Sequence, residues 1–129
     1  MLTNTPLQFY HRTAFFFRDQ GAINLAVLAS VIDKKHEVRV LDNWHYLFRF
    51  EGIFKELESF HPDNLAISHS SDVDTENVYA VAKKVKQLYP NTLILCGGQY
   101  PSMFPEETLT NGFDFVIRSE GEVTFPELL

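Results

Sequence analysis

The chain has 129 residues, 45% hydrophobic and 22% charged, with 11 Lys and Arg against 17 Asp and Glu for a formal charge of −6. That length supports one domain with a sizeable buried core, no run of about 18 apolar residues offers a membrane span, and the scattered basic residues argue against a nucleic-acid footprint. One cysteine, Cys96, leaves no internal disulfide and no thiolate cluster from this chain alone. The opening "MLTNTPLQFYHR" lacks a basic stretch followed by an apolar core, so no secretory signal is expected and a cytoplasmic location follows.

In chain order, "MLTNTP" has the pattern of a strand stopped by Pro6, and "LQFYHRTAFFFRDQG" that of a long loop leading to a helix around Ala22–Lys34. That helix carries Ile23, Leu25, Ala26, Leu28, Ala29 and Ile32, apolar over more than one stripe, and should be well buried. "HEVRVLD" alternates as a strand ending at Asp42. Ile53, Phe54, Leu57 and Phe60 then fall at helical spacing before Pro62. "NLAISHSS" is a third strand running into small polar residues. Beyond it Val78, Val81, Ala82, Val85 and Leu88 mark the buried face of the clearest helix, with Asp72, Asp74 and Thr75 at its start and Pro90 after its end.

"TLILC" is a nearly continuous apolar strand, as expected of one covered on both faces. It runs into Gly97, Gly98 and a polar loop beginning at Gln99. Pro105 to Thr110 predicts a short helix, with Pro in its first turn and Glu106 and Glu107 near its positive end. "FDFVIR" is a fifth strand, and Thr124-x-x-Glu127 has the spacing of a capping box for a helix that the chain barely begins. The chain is therefore expected to be a fragment of a longer one, with residues 1–129 forming a single domain.

Strands alternating with helices, and no hairpin turn, predict an α/β fold of the Rossmann-like (flavodoxin-like) kind. Its doubly wound sheet has about five parallel strands with helices on both faces. In such a sheet the ligand site lies beyond the carboxyl ends of the strands. The least core-like residues fall there: Thr5, Pro6 and His11; Asp42, Asn43 and Trp44; Ser68, His69, Ser70 and Ser71; Gly97, Gly98 and Gln99; Ser119, Glu120, Gly121 and Glu122.

What is missing narrows the ligand. There is no G-x-G-x-x-G for a dinucleotide, so Asp42, although placed like a ribose-binding acid, counts for little, and there is no G-x-x-x-x-G-K-[ST] phosphate loop. The acidic residues and lysine of a phospho-acceptor receiver are absent too. Two glycines at a strand end remove the Cβ atoms that would block a tail threading past the third and fourth strands, while the serines offer hydroxyls.

Each feature also has a plainer role. Gly97-Gly98 fits a tight turn, the serines fit helix capping, and His69 fits a solvated loop residue. Glu120 and Glu122 fit a turn and helix start, and Cys96 fits a buried inert thiol. The aromatic residues Phe15, Phe16, Phe17, Trp44, Tyr46, Phe48 and Phe50 fit core and covering-loop packing.

The combination of "AISHSS", "LILCGGQYPSMFPEE" and "FDFVIRSEGEVTFPELL" resembles the N-terminal cobalamin-binding domain of cobalamin-dependent radical SAM proteins. That family also shows a Pro after the first strand and an acid after the second. Its R-G-E-G-E pattern stands here as Arg118-Ser119-Glu120-Gly121-Glu122, with serine where glycine is usual. The resemblance implies that Gly97 and Gly98 flank the nucleotide tail of cobalamin and that Ser68 and Ser70 hydrogen-bond to it. Glu120 to Glu122 would lie near the corrin ring or a domain junction. It further implies a radical SAM domain following in the same polypeptide, methyltransferase or cyclase in type, which would hold a 4Fe–4S cluster and cleave S-adenosylmethionine. The D-x-H-x-x-G motif that supplies a histidine to cobalt in methionine synthase modules is absent, which argues against a histidine-ligated cobalt and not against cobalamin. Taken alone the chain should bind cobalamin and not catalyse. The alternatives are a nucleotide or other small-molecule binding α/β domain, or an interaction module with a vestigial pocket.

Overall fold

The computed structural model describes residues 12–17, 23–32, 34–42, 50–70, 72 and 75–129, with the main chain alone described at 12–17, 23, 42 and 50. The elements run β1 (Arg12–Phe17), α1 (Ile23–Val31), β2 (Glu37–Asp42), α2 (Phe50–Phe60), β3 (Asn64–Ser68) and α3 (Thr75–Leu88). Then follow β4 (Leu93–Gly97), α4 (Gln99–Met103), α5 (Pro105–Thr110), β5 (Phe115–Ile117) and α6 (Gly121–Leu128). The sheet order is β2-β1-β3-β4-β5 with every pair parallel, the flavodoxin-like winding that reverses direction between β1 and β3.

Strand periodicity decides which helix covers which face. Leu65 and Ile67 of β3 and Ile94 and Cys96 of β4 pack with Ile53, Leu57 and Phe60 of α2 and with Val78, Val81, Ala82 and Val85 of α3. The alternate residues Ala66 and Leu95, with Ile117 of β5, pack with Leu25 and Ile32 of α1 and Phe125 of α6. Two apolar layers thus sandwich one sheet.

Polar side chains hold the other end of the sheet, where β3, β4 and β5 begin. Lys86 pairs with Asp114 at 2.6 Å, and Asp114 Oδ2 accepts the Ile94 amide at 2.7 Å. Lys86 Nζ also reaches the Thr92 carbonyl at 3.0 Å, and the Thr92 hydroxyl donates to the Pro62 carbonyl at 2.9 Å. Arg39 ties β2 to α2, with its guanidinium 4.4 Å from the Phe60 ring centroid and 3.2 Å from Glu56.

Three expectations are corrected. β1 is Arg12–Phe17, inside the segment expected to be a long loop; Thr13 to Phe17 is a β-branched and aromatic run, which suits a strand in mid-sheet better than a loop. Gln99, expected in a loop, begins α4, because Gly98 turns the chain at φ 116 directly into a helical turn. The final helix starts at Gly121, not at Thr124; the Thr124 hydroxyl bonds back to the Glu120 carbonyl at 3.5 Å from within α6 and caps nothing.

Candidate functional site

A cleft of ≈ 350 Å³ opens at the carboxyl ends of β3, β4 and β5, between α1 and α6. Its floor carries Ala66 and Ser68 from β3, Leu95 and Gly97 from β4 and Ile117 from β5. Asn24, Leu25 and Leu28 form the α1 wall, and Gly121, Glu122 and Phe125 the α6 wall, with Ser119 and Glu120 at the β5–α6 turn. Toward the strand ends the inward residues are small: Leu95 gives way to Gly97 on β4, and β3 offers only Ala66 and Ser68. The space exists because these side chains do not fill it.

The two adjacent glycines have different reasons to be glycine. A Cβ on Gly97 would meet nothing closer than Ile117 Cβ at 3.8 Å, an ordinary contact, so its missing side chain simply leaves the cleft open. A Cβ on Gly98 would lie 2.4 Å from the His69 carbonyl oxygen, and its φ of 116 is one that L side chains rarely adopt. Gly98 is thus the tight turn, and Gly97 provides the room. At Gly121 a Cβ would approach Leu28 Cδ2 to 3.2 Å, so glycine there lets α6 close on α1.

Of the residues expected at a site, Ser68, Gly97, Gly98, Glu120, Gly121 and Glu122 come together in this cleft. Asp42 ends β2, on the far side of β1 from β3, and its side chain lies outside the described part. Pro6, His11 and Ser71 lie outside the described residues, Pro6 and His11 before β1 in sequence. Ser70 is half-buried beyond β3, and Gln99 is exposed at the start of α4; neither lines the cleft.

His69 is not the solvated loop residue its neighbours suggested. It is 3% exposed, its Nε2 lies 3.1 Å from the Thr75 hydroxyl, and its ring packs 4.7 Å from that of Tyr100. Its amide donates to the Gly97 carbonyl at 2.8 Å, and its own carbonyl accepts the Tyr100 amide at 3.3 Å. These contacts stitch the β3 loop to the start of α4 behind the cleft. Further out, Glu107 Oε1 accepts the hydroxyls of both Tyr79 and Tyr100 at 3.2 Å. Burial pushes the Tyr79 phenol up to about 12, a hydrogen bond with Thr108 opposing the rise and Glu107 adding to it. Burial likewise pushes the Cys96 thiol up to about 12; it faces α2 and α3, away from the cleft, and is unsuited to nucleophilic work.

Sequence reasoning missed the α1 wall and, on α6, Phe125. Asn24, Leu28 and Phe125 look like ordinary helix residues, and only the winding order sets them over the glycine end of β4. Ser119 was noted as a departure from glycine, and the structure supplies its significance: φ is 63, in the left-handed region that favours glycine. Within α6, Pro126 has no amide hydrogen, which leaves the Glu122 carbonyl without its usual helical donor beside the cleft.

Sheet order and cleft together define a flavodoxin-like α/β domain, open at the carboxyl ends of its strands. The family model described as B12 binding domain matches residues 16–129, and the chain belongs to that family; cobalamin is the cofactor this membership assigns. An uncharacterized methyltransferase of Pyrococcus horikoshii is 33% identical over 109 residues, covering 83% of this chain and 24% of that protein. The anaerobic magnesium-protoporphyrin IX monomethyl ester cyclase of a Synechocystis strain is 26% identical over 108 residues, 81% of this chain and 22% of that protein. The chain thus spans about a quarter of the length of these curated relatives.

Among solved structures, the cobalamin-dependent S-adenosylmethionine radical enzyme OxsB, with aqua-cobalamin bound, superposes with a TM-score of 0.78 at 18% identity, over 95% of this chain and 18% of that one. A response regulator from Thermotoga maritima gives 0.69 at 11% identity over 92% and 93%. At such identities the likeness shows the fold alone, and the second match shows that this fold serves other functions. No described helix is long and apolar enough to cross a membrane.

Proposed function

We propose that this chain holds cobalamin with its nucleotide tail in the cleft between α1 and α6 and its corrin ring over the carboxyl ends of the strands. It would do so as the cobalamin-binding part of a radical SAM methyltransferase or cyclase whose remaining domain follows in the same polypeptide. The observation that carries this reading is the cleft floor, which is empty at Gly97 beside the small residues Ala66 and Ser68. A Cβ-bearing branched residue at Gly97 would project into the space a tail needs.

The residues present fit the cofactor in kind. The apolar walls suit a flat aromatic base, and the Ser68 hydroxyl suits the polar linkage leading to it. Glu120 and Glu122 are exposed at the rim and, as carboxylates, can only accept hydrogen bonds, which suits the amide side chains of a corrin. When bound, cobalamin supplies the alkyl-transfer chemistry; the chain's own part is to bind the tail, orient the ring and exclude water from the seated base.

The test is retention of hydroxocobalamin through gel filtration, read by the visible spectrum. The wild-type chain is expected to emerge red. Gly97→Val should weaken uptake roughly 100-fold, about 2.7 kcal/mol, with its circular dichroism and melting transition unchanged. A colourless wild-type protein, or full uptake by Gly97→Val, would overturn the proposal in favour of another small-molecule ligand or a vestigial pocket.

A further inference from the structure

Resting on the cobalamin reading just given, we infer that the cleft discriminates among cobamides by their lower base, favouring benzimidazole and phenol types over purines. The depth of the cleft is entirely apolar. Leu25, Ala66, Leu95, Ile117 and Phe125 line it and are between 1% and 9% exposed. Every polar lining side chain sits outward of them: Ser68 is half-buried, and Asn24, Ser119, Glu120 and Glu122 are exposed. The main chain of the floor has little to offer either. Ala66 pairs with Leu95, and Leu95 with Phe115, across the parallel ladders, so its peptide groups are engaged within the sheet.

A base entering that depth leaves water and meets only hydrocarbon. Dimethylbenzimidazole carries two methyl groups and a single free ring nitrogen; a cresol base carries no free polar group. Adenine carries an exocyclic amino group and several ring nitrogens. A polar group buried without a partner loses its hydration uncompensated. Rejection by an apolar pocket is moderate, because it rests on that loss alone, so roughly tenfold to 100-fold is the scale expected.

The experiment is a spectral titration of the 129-residue chain with four cyano-cobamides: cobalamin, p-cresolylcobamide, adeninylcobamide and the tail-less cobinamide. Cobalamin and the cresolyl form should bind within about threefold of one another, adeninylcobamide roughly tenfold or more weaker, and cobinamide weakest of all. Ala66→Ser places one hydroxyl on the floor and should narrow the gap between adeninylcobamide and cobalamin severalfold. Equal affinity for the adeninyl and benzimidazolyl forms, with cobinamide weaker, would overturn the inference while leaving the tail in the cleft; so would a gap unmoved by Ala66→Ser. Cobinamide binding as tightly as cobalamin would mean that no tail enters. Failure of cobalamin itself to bind would remove the underlying proposal as well.

Discussion

The two faces of the sheet are built from the same strands and end differently. On the α2 and α3 side, Leu65, Ile67, Ile94 and Cys96 are all 2% exposed or less, and the layer is closed from end to end. On the α1 and α6 side, the alternate residues are Ala66 and Ser68 on β3 and Leu95 and Gly97 on β4, and the layer opens into a cleft. Because successive side chains point to opposite faces, one face can be packed for stability while the other is emptied for a ligand without any change of backbone.

The sharpest way to break that contrast is to shorten one leucine on each side. Leu57→Ala, in the closed layer, should cost about 2–5 kcal/mol in denaturant unfolding. Leu28→Ala, beside the open cleft and half-buried, should cost under about 1 kcal/mol, since much of its surface already meets solvent. Equal losses would mean that both faces are packed alike. The glycines come next: Gly98→Ala should lose about 1–3 kcal/mol to backbone strain, before the approach to the His69 carbonyl is counted. Gly97→Ala should stay within about 0.5 kcal/mol of wild type. Were Gly97→Ala the more damaging, the room at the cleft floor would be a by-product of a turn.

Ser119→Gly should relieve the strain at φ 63. A left-handed residue costs roughly 1–2 kcal/mol and glycine's added unfolded-state freedom offsets part of it, so a gain of a few tenths to about 1 kcal/mol is expected in the melting curve. The last effect is confined to alkaline pH. The Cys96 thiol is raised from 9.0 to about 12 on burial, so between those values the unfolded chain has released a proton that the folded chain keeps. The contribution is complete below pH 9.0, declines as pH rises and is lost through about 12. Cys96→Ala should flatten that alkaline decline relative to wild type while leaving neutral-pH uptake of cobalamin unaffected; an unchanged slope would place the thiol in water.

Much of this was legible in the sequence. Buried helices α2 and α3 follow directly from their apolar spacing, α5 from Pro105 and its two glutamates, and the cleft floor from Ser68 and the Gly97-Gly98 pair. β1 was not, because Met1 to Pro6 resembled a strand with a stop, which assigned the aromatic run at Phe15 to Phe17, although Asp19 and Gly21 follow it, to the loop after that strand. His69 was misjudged for a related reason. Its neighbours in sequence are serines, but its neighbours in space are Thr75 and Tyr100, and local composition says nothing of a ring packed across a crossover. The separate duties of Gly97 and Gly98 also needed coordinates, since both residues read alike as letters and differ in dihedral angle and in what faces them.

The stitching at His69 has a mechanical corollary. With its amide, carbonyl, imidazole nitrogen and ring all engaged, one jaw of the vise is bolted down. The opposing jaw, α6, meets α1 where Gly121 abuts the Leu28 side chain, a hydrocarbon contact. A wedge driven into the seam would bear on that contact, opposite a glycine rim pinned through His69.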